Sequence, residues 1–313
     1  MRSFRSAGES VSGRKAGKVL SVCLLLFLVL ITSECRAERF RFVFMTDIHL
    51  TEELGGVKGF EAAIEHVNSL APDFIITGGD LVYDALDVPY EEAGRLYSLF
   101  GDLCEKFDAP VHNTIGNHEI FGLYDSTGVS RENEEFGKEM FRRRLGGGAT
   151  SHSFDFGGWH FISLDVIGYS GEHSYMGFAG SRQLDWLKRD LASTASGTPI
   201  VLCVHIPLIT VYKQIKKGHA KPLFTGEVVV NSKEVLDLFE GHDLRMVLQG
   251  HLHIVEQISF KGIHYVTGGA VCGAWWKGPR DGFPEGFVVV DIDGEEMNYR
   301  YETYGWDAER YDP

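Results

Sequence analysis

Short apolar runs alternate with amphipathic segments along most of the chain. The apolar runs have the length and residue types of buried strands. They are Arg41–Thr46, Phe74–Thr77, Val111–Ile115, Phe161–Leu164, Ile200–Val204 and Met246–Gln249. Between them, residues 57–70, 96–107 and 184–191 repeat apolar side chains at the spacing of a helix face. The pattern therefore predicts alternating strands and helices up to about residue 249.

From about residue 251 the pattern changes to strands joined by tight turns. Apolar runs at 254–260, 263–267, 287–292 and 297–301 are separated by Lys-Gly and Asp-Gly turn signals. Alternating β and α units followed by a β-rich tail predict an α/β protein with mixed sheets flanked by helices. No repeat or Pro- or Ser-rich linker divides residues 38–313, so we expect a single domain there.

The N-terminal residues have the order of a secretory signal peptide. Basic residues from Arg2 to Lys18 precede an uncharged, largely apolar run from Val19 to Ile31, and small residues then flank Arg36. The run is shorter than the roughly 20 residues that span a bilayer. We therefore predict a signal peptide of residues 1–37 and export to a periplasm or the extracellular space. The alternative is an uncleaved membrane anchor.

The charge of the predicted mature chain limits its partners. Without residues 1–37 the chain has 24 basic and 42 acidic residues, a net charge of −18 with histidine neutral. So acidic a surface repels nucleic-acid polymers and anionic membranes, and we expect neither as a partner. Cys104, Cys203 and Cys272 are scattered and predict neither a disulfide framework nor a zinc staple. We expect them to be small buried apolar residues.

Residues with metal-binding side chains follow five of the predicted strands. The segments are Asp47-Ile48-His49, Gly79-Asp80, Gly116-Asn117-His118-Glu119, His205 and Gly250-His251-Leu252-His253. Open α/β sheets place ligand sites at the carboxyl ends of their strands, so we expect these side chains to meet. In the first and last segments the outer two residues are two apart, which in an extended chain aims both side chains to one side. The glycines allow positive φ angles and close backbone approach.

The donor set indicates which ions fit. Imidazoles and carboxylates suit Fe, Mn or Zn, and the lack of thiolate in the pattern argues against a structural zinc site. Two divalent ions, two aspartates and one hydroxide would leave a charge of about +1, which attracts a compact phosphate at short range. We therefore expect two divalent or transition metal ions as cofactors and a small phosphorylated substrate.

The ordered segments DxH, GD, GNHE, H and GHxH resemble the motifs of the calcineurin-like metallophosphoesterases. The resemblance covers essentially all of residues 38–313. It implies an α/β/β/α sandwich, in which two mixed β-sheets pack face to face with helices outside. It implies that one metal is bound by Asp47, His49 and His253, that Asp80 bridges both, and that the second is completed by Asn117, His205 and His251. It also implies that His118 assists the leaving group.

The function implied is hydrolysis of phosphomonoesters or phosphodiesters by a hydroxide held between the two metals. Two alternatives stay open. One is a binding or sensor protein on this fold that has lost catalysis. The other, among enzymes, is a phosphatase that resembles the purple acid phosphatases. The motifs do not separate monoesters, cyclic nucleotides, diphosphates and phosphoproteins as substrates.

One position departs from the family pattern. Many relatives have an acidic residue three positions after the bridging aspartate, where this chain has Tyr83. A tyrosine there is similar to the iron-binding tyrosine of purple acid phosphatases. Those enzymes lack the histidine of DxH, which is present here as His49, so we expect Tyr83 to be an aromatic of the pocket or core. Asp84 and Glu119 are the candidates to orient His118.

Two further segments are candidates for substrate binding. Lys213, Lys216, Lys217 and Lys221 follow His205 without an intervening acid, and we interpret them either as an anion-gathering lid or as a solvated loop. A glycine-rich segment contains Trp275, Trp276 and Arg280. These tryptophans either stack on a ring of the substrate or close the end of the β-rich tail.

Overall fold

A computed structural model describes residues 39–124, 126, 128–218 and 223–308. The predicted signal peptide and Lys221 lie outside the described residues. Within the described part of the chain, no helix is both long and apolar enough to cross a membrane.

Thirteen strands and six helices are described. The strands are β1 (Arg39–Met45), β2 (Phe74–Thr77), β3 (Val111–His112), β4 (His152–Phe156), β5 (Trp159–Ser163), β6 (Ile167–Tyr169), β7 (Tyr175–Gly177), β8 (Pro199–Cys203), β9 (Asp243–Gln249), β10 (Val255–Phe260), β11 (Ile263–Gly268), β12 (Phe287–Asp293) and β13 (Glu296–Glu302). The helices are α1 (Gly56–Ser69), α2 (Tyr90–Cys104), α3 (Glu139–Arg144), α4 (Ser181–Ser193), α5 (Tyr212–Lys217) and α6 (Ser232–Asp237).

Most strands belong to two mixed sheets. The first has the order β13-β12-β1-β2-β3, and the second has the order β10-β11-β9-β8-β5-β4. In the first sheet β1, β2 and β3 are parallel, whereas β12 and β13 add antiparallel pairs at one side. In the second sheet β5, β8, β9 and β11 are parallel, with antiparallel β4 and β10 at its two edges. A separate hairpin joins β6 and β7.

The side-chain alternation of β1 explains how the layers stack. Phe42 and Phe44 belong to a core shared with strands of the second sheet, whereas Val43 and Met45 pack with residues of α1 and α2. Between the sheets, the Phe42 ring lies 5.4 Å from that of Phe161 on β5, nearly perpendicular to it. A third cluster packs α4 and α6 against the outer face of the second sheet. The four layers confirm the predicted α/β/β/α sandwich.

Some local predictions differ from the structure. The predicted strand 111–115 pairs with β2 only at Val111–His112, because the chain then turns toward the predicted metal site. The β-rich tail does not stay together, since β10 and β11 join the second sheet and β12 and β13 the first.

Candidate metal centre

The segments predicted to bind metals meet at one edge of the sandwich. Asp47, Asp80 and Asn117 follow β1, β2 and β3 of the first sheet, and His205 and His251 follow β8 and β9 of the second. All seven predicted ligands are brought together, and six of them are buried; His251 is partly exposed. The parallel strands end at this edge, as expected for a ligand site of an α/β sheet.

The donor atoms form two groups that share Asp80. Asp80 Oδ2 lies 3.1 Å from His205 Nε2 and 3.5 Å from His49 Nε2. On the His49 side, His253 Nε2 lies 3.2 Å from His49 Nε2 and 3.3 Å from Asp47 Oδ1. On the His205 side, His205 Nε2 lies 3.1 Å from Asn117 Oδ1 and 3.3 Å from His251 Nδ1.

Backbone carbonyls fix the tautomers of three of these histidines. The outer ring nitrogen, Nδ1, lies 2.7 Å from the Gly78 carbonyl in His205, 2.6 Å from the Gly273 carbonyl in His253 and 3.3 Å from the Tyr83 carbonyl in His49. A proton on Nδ1 leaves the Nε2 lone pair facing inward. Two such lone pairs at 3.2 Å repel each other unless a metal ion or a proton lies between them. The residues therefore fit a metal ion.

An unsatisfied polar atom supports the same fit. Among the described residues, the buried Asn117 Nδ2 has no hydrogen-bond partner, whereas Asn117 Oδ1 faces His205. A buried polar side chain with an unused donor is uncommon and is found at functional sites. Its oxygen is a suitable metal ligand.

The ligands reach the site from an unusual backbone conformation. Asp47, His49, Asp80, His251 and His253 all have φ angles between 43° and 71°. The pairs two residues apart therefore converge through left-handed turns, which corrects the expectation of extended chain. Asp and His are among the residues enriched in this region, which costs other residue types more. Such strain concentrates at functional sites where surrounding contacts over-determine it.

Two of the glycines act through close approach. A Cβ on Gly116 would lie 2.2 Å from the backbone nitrogen of Asp80, and one on Gly250 would lie 2.1 Å from Thr46 Oγ1. Only Gly79 has the positive φ that the sequence predicted for these positions.

His118 lies beside the two groups. Its Nε2 is 4.0 Å from Asp80 Oδ2, and its Nδ1 is 3.5 Å from Asp84 Oδ1. The His118 amide donates to Asp80 Oδ1 at 2.9 Å. Burial lowers the pKa of His118, but the carboxylates of Asp80 and Asp84 outweigh burial and raise it. His118 is thus held near a carboxylate that can orient it, and its imidazole can carry a proton.

Glu119 connects the loops rather than orienting His118. Its buried carboxylate accepts hydrogen bonds of 2.7 to 3.1 Å from four backbone amides, those of Asp80, Leu81, Val82 and Gly116. Burial and the charge of Asp80 raise the pKa of Glu119 to about 7, against the hydrogen bonds from Gly116 and Val82. Asp84, not Glu119, contacts the His118 ring.

The ionisable side chains of the cluster shift one another's pKa values. Burial opposes ionisation of Asp80, but His205 and His118 hold the pKa of Asp80 well below its usual range. Despite burial, the carboxylate of Asp80 raises the pKa of His205 to about 9. Burial and the facing His205 lower the pKa of His251 to about 4. Metal binding at this cluster would therefore release protons.

The two tryptophans have different roles. Trp275 is partly exposed, and its ring centroid lies 3.8 Å from that of His49 and 5.0 Å from that of His118. Trp276 is only 1% exposed and donates its indole N–H to the His49 carbonyl at 2.9 Å. Trp276 offers no surface to a substrate, which corrects the expectation for that residue. It packs the loop against α1 instead.

The basic side chains predicted to bind substrate are engaged elsewhere or exposed. Lys213 Nζ forms an ion pair of 2.5 Å with Glu227, and Lys216 pairs with Asp281. Lys213 and Lys216 of α5 are therefore balanced by acids from other segments, which the sequence near His205 did not reveal. Arg280 is exposed, and its backbone pairs with Phe283.

One residue near the site was not predicted. The buried Cys272 Sγ lies within 4.8 Å of donor nitrogens of His49 and His253, in a group able to hold a metal. It lies 4.0 Å from His253 Nδ1. No spacing motif marks this thiol in the sequence, because the fold alone brings the loop after β11 to the end of β1.

Two family models match the part of the chain that forms this site and the strands that follow it. The family model "Calcineurin-like phosphoesterase" matches residues 40–255, and the model "C terminal of Calcineurin-like phosphoesterase" matches residues 265–311. The first match alone covers more than half of the chain. It includes every predicted metal ligand.

Among the proteins similar to this chain are two curated relatives and one solved structure. A probable cyclic nucleotide phosphodiesterase from Rhodococcus erythropolis is 28% identical over 64% of this chain and 58% of its own length. Purple acid phosphatase 22 from Arabidopsis thaliana is 27% identical over 71% of this chain and 46% of its own length. The chain thus spans about half the length of these relatives. The structure of a dimetal phosphatase from Danio rerio is 14% identical, covers 85% of this chain and 96% of its own, and has a TM-score of 0.60.

Proposed function

Since the chain belongs to the calcineurin-like phosphoesterase family, we propose that it hydrolyses phosphate esters with two metal ions that share Asp80. The observation that carries the proposal is the position of Asp80 Oδ2, which lies 3.1 Å from His205 Nε2 and 3.5 Å from His49 Nε2. One carboxylate oxygen between two imidazole groups is suited to bridge two cations. Asp47, His49 and His253 would hold the first ion, and Asn117, His205 and His251 the second.

When bound, such ions supply Lewis acidity and a water that is nucleophilic at neutral pH. The chain's own residues then orient the reaction. Asp84 contacts His118 Nδ1 at 3.5 Å, which leaves His118 Nε2 directed toward the site and 4.0 Å from Asp80 Oδ2. His118 is placed to give its proton to the departing alkoxide, a role worth roughly 10²–10⁴ in rate.

The substrates proposed are small phosphomonoesters or phosphodiesters. The name of the Rhodococcus relative, a probable cyclic nucleotide phosphodiesterase, makes diesters a necessary part of the test. The net charge of the predicted mature chain, −18, favours compact phosphates over polyanions.

The test compares metal binding with hydrolysis. Chelator-stripped protein would be reloaded with Mn, Fe or Zn, its metal content measured, and its activity assayed on nitrophenyl phosphate and bis-nitrophenyl phosphate. We expect two ions per chain, and loss of both metal and activity in Asp80→Asn. Asp185→Asn, on the exposed face of α4 with a side chain 63% exposed, is the matched control.

Two outcomes would count against the proposal. Retention of two ions and of activity by Asp80→Asn would show that this carboxylate bridges nothing. Two bound ions without hydrolysis of any ester would favour the binding-protein alternative.

A further inference from the structure

The indole of Trp275 lies beside His118, the proposed leaving-group acid. Its ring centroid is 5.0 Å from that of His118 and 3.8 Å from that of His49. The Tyr83 ring lies 5.3 Å away and nearly perpendicular. A group that takes a proton from His118 lies beside that ring, so its substituents can reach the indole of Trp275, which the Tyr83 ring contacts.

The backbone holds Trp275 in place at an energetic cost. Trp275 and Trp276 have consecutive φ angles of 59° and 64°, a left-handed conformation that is unfavourable for bulky residues. Trp276 secures the turn through its hydrogen bond to the His49 carbonyl. Gly59 of α1 makes room for it, because a Cβ there would lie 2.3 Å from the indole. The neighbouring contacts thus over-determine the strained turn.

The two tryptophans differ in burial. Trp276 is 1% exposed, whereas Trp275 remains partly exposed although His49, His118 and Tyr83 surround it. A tryptophan needed only for packing would gain free energy from full burial. Trp275 is not fully buried, although it lies beside His49 and His118 in a strained turn, which points to a ligand contact.

We propose that Trp275, with Tyr83, forms an aromatic wall that packs against a ring carried by the leaving group. The preferred substrates are then phosphate esters of ring-bearing alcohols, such as nucleosides. This inference rests on the proposed function, because it assigns the leaving-group side through His118. An aromatic face attracts a planar ring through offset stacking and through the apolar area removed from water.

A matched pair of substrates isolates this contact. Adenosine 5′-monophosphate and ribose 5-phosphate lose the same kind of primary alkoxide and differ by the base, so their demand for a proton is equal. We expect the wild type to prefer the nucleotide in kcat/KM by roughly 5- to 150-fold, the range of one base–aromatic stack. Trp275→Leu should reduce this preference to within about 3-fold, and Trp275→Phe should retain most of it. Phe260→Leu, at a side chain 58% exposed on β10, is the control and should leave the preference unchanged.

A binding measurement keeps the test independent of turnover. Calorimetric titration of metal-loaded protein with each phosphate compares their dissociation constants even if neither is hydrolysed. Absence of hydrolysis combined with tighter nucleotide binding that Trp275→Leu abolishes would reject the proposed function and keep the wall. Equal affinity of the wild type for both phosphates, or a preference that survives Trp275→Leu, would overturn the wall whether or not the protein is an enzyme.

Discussion

Glu119 holds the backbone of Asp80, because the Glu119 carboxylate accepts a hydrogen bond of 2.9 Å from the Asp80 amide. The same carboxylate accepts the amides of Leu81, Val82 and Gly116 and thereby joins the loop after β2 to the loop after β3. It shapes the metal centre without being one of its ligands. Such supporting partners commonly change metal affinity by 10- to 100-fold when they are removed.

We therefore predict that Glu119→Gln weakens both the fold and the metal centre. An amide offers one acceptor oxygen, and its NH₂ group would face backbone donors, so buried N–H groups lose their partners. The free energy of unfolding should fall by about 2–4 kcal/mol in urea titrations of the metal-free protein. The dissociation constant for metal should rise roughly 10- to 100-fold.

The control for this variant is Glu295→Gln, whose side chain is 86% exposed. It should change the free energy of unfolding by less than about 0.5 kcal/mol. Equal stability of Glu119→Gln and wild type would show that these four hydrogen bonds contribute little.

The role of His118 is tested by its dependence on the leaving group. His118→Asn should keep both metals while kcat falls by roughly 10²–10⁴ for an alkyl phosphate. The loss should shrink for a nitrophenyl ester, because a nitrophenolate departs without needing a proton. The assay is a pair of kcat measurements on the two esters together with metal analysis.

His118 also belongs, with His49 and Asp80, to a group able to hold a metal. Loss of metal from His118→Asn, or equal losses of rate on alkyl and nitrophenyl esters, would make it a ligand or a positioning residue instead.

Tyr83 distinguishes this site from that of the purple acid phosphatases. Burial, together with Glu53 and Asp84, raises the pKa of Tyr83, which disfavours a tyrosinate. His49 already occupies the corner next to Asp80 and His253. We predict that the iron-loaded protein is colourless, or that its visible band survives Tyr83→Phe. A purple band that this substitution removes would assign the tyrosine as a ligand.

The two ion pairs of His160 should make the stability of the fold depend on pH. Its Nδ1 lies 2.6 Å from Asp155 and its Nε2 lies 2.8 Å from Asp190, which links β5 to β4 and α4. Burial lowers the pKa of His160, but the two carboxylates raise it overall. A raised folded-state pKa stabilises the protein fully below the unfolded value of about 6.5 and loses that effect as pH rises through the folded value.

His160→Gln should therefore lower the free energy of unfolding more at pH 5.5 than at pH 9. We expect a difference of about 1 kcal/mol, because Asp155 is largely exposed and screened. Urea unfolding at both pH values measures it. His242→Gln, in the loop before β9, serves as the control, and an identical loss for His160→Gln at both pH values would contradict the prediction.

The sequence predicted the layers, and the convergence of the candidate ligands, because both leave regular signals. Buried strands read as apolar runs, and their carboxyl ends carry the polar residues. The stretch from Arg131 to Arg144, by contrast, reads as one exposed helix, yet only Glu139–Arg144 is helical and Met140 and Phe141 are buried. The stretch is acidic near its start and basic at its end, which favours a helix. Tertiary contacts nevertheless limit the helix to its last six residues.

The backbone of the site could not be predicted in the same way. The spacing of Asp47 and His49 indicates convergence in extended chain, but the pair converges through left-handed turns. Such turns depend on contacts from other segments, such as the hydrogen bonds of 2.9 Å from the Ile48 and His49 amides to the Asp80 carbonyl. The difference in burial between Trp275 and Trp276 also follows from their turn. No periodic pattern in the sequence predicts this turn.

The position of β1 has a consequence for when the molecule can fold. This strand lies between β2 and β12, and it pairs with β12 from Arg39 opposite Asp293 to Phe44 opposite Val288. The earliest strand of the described chain thus waits for a partner synthesised about 250 residues later, a pairing that slows folding because a long loop must close first. A partly synthesised chain also lacks His251 and His253, two of the proposed metal ligands. For the export that the N-terminus predicts, this delay is useful, because a chain that cannot complete its central sheet early remains unfolded until it has crossed the membrane.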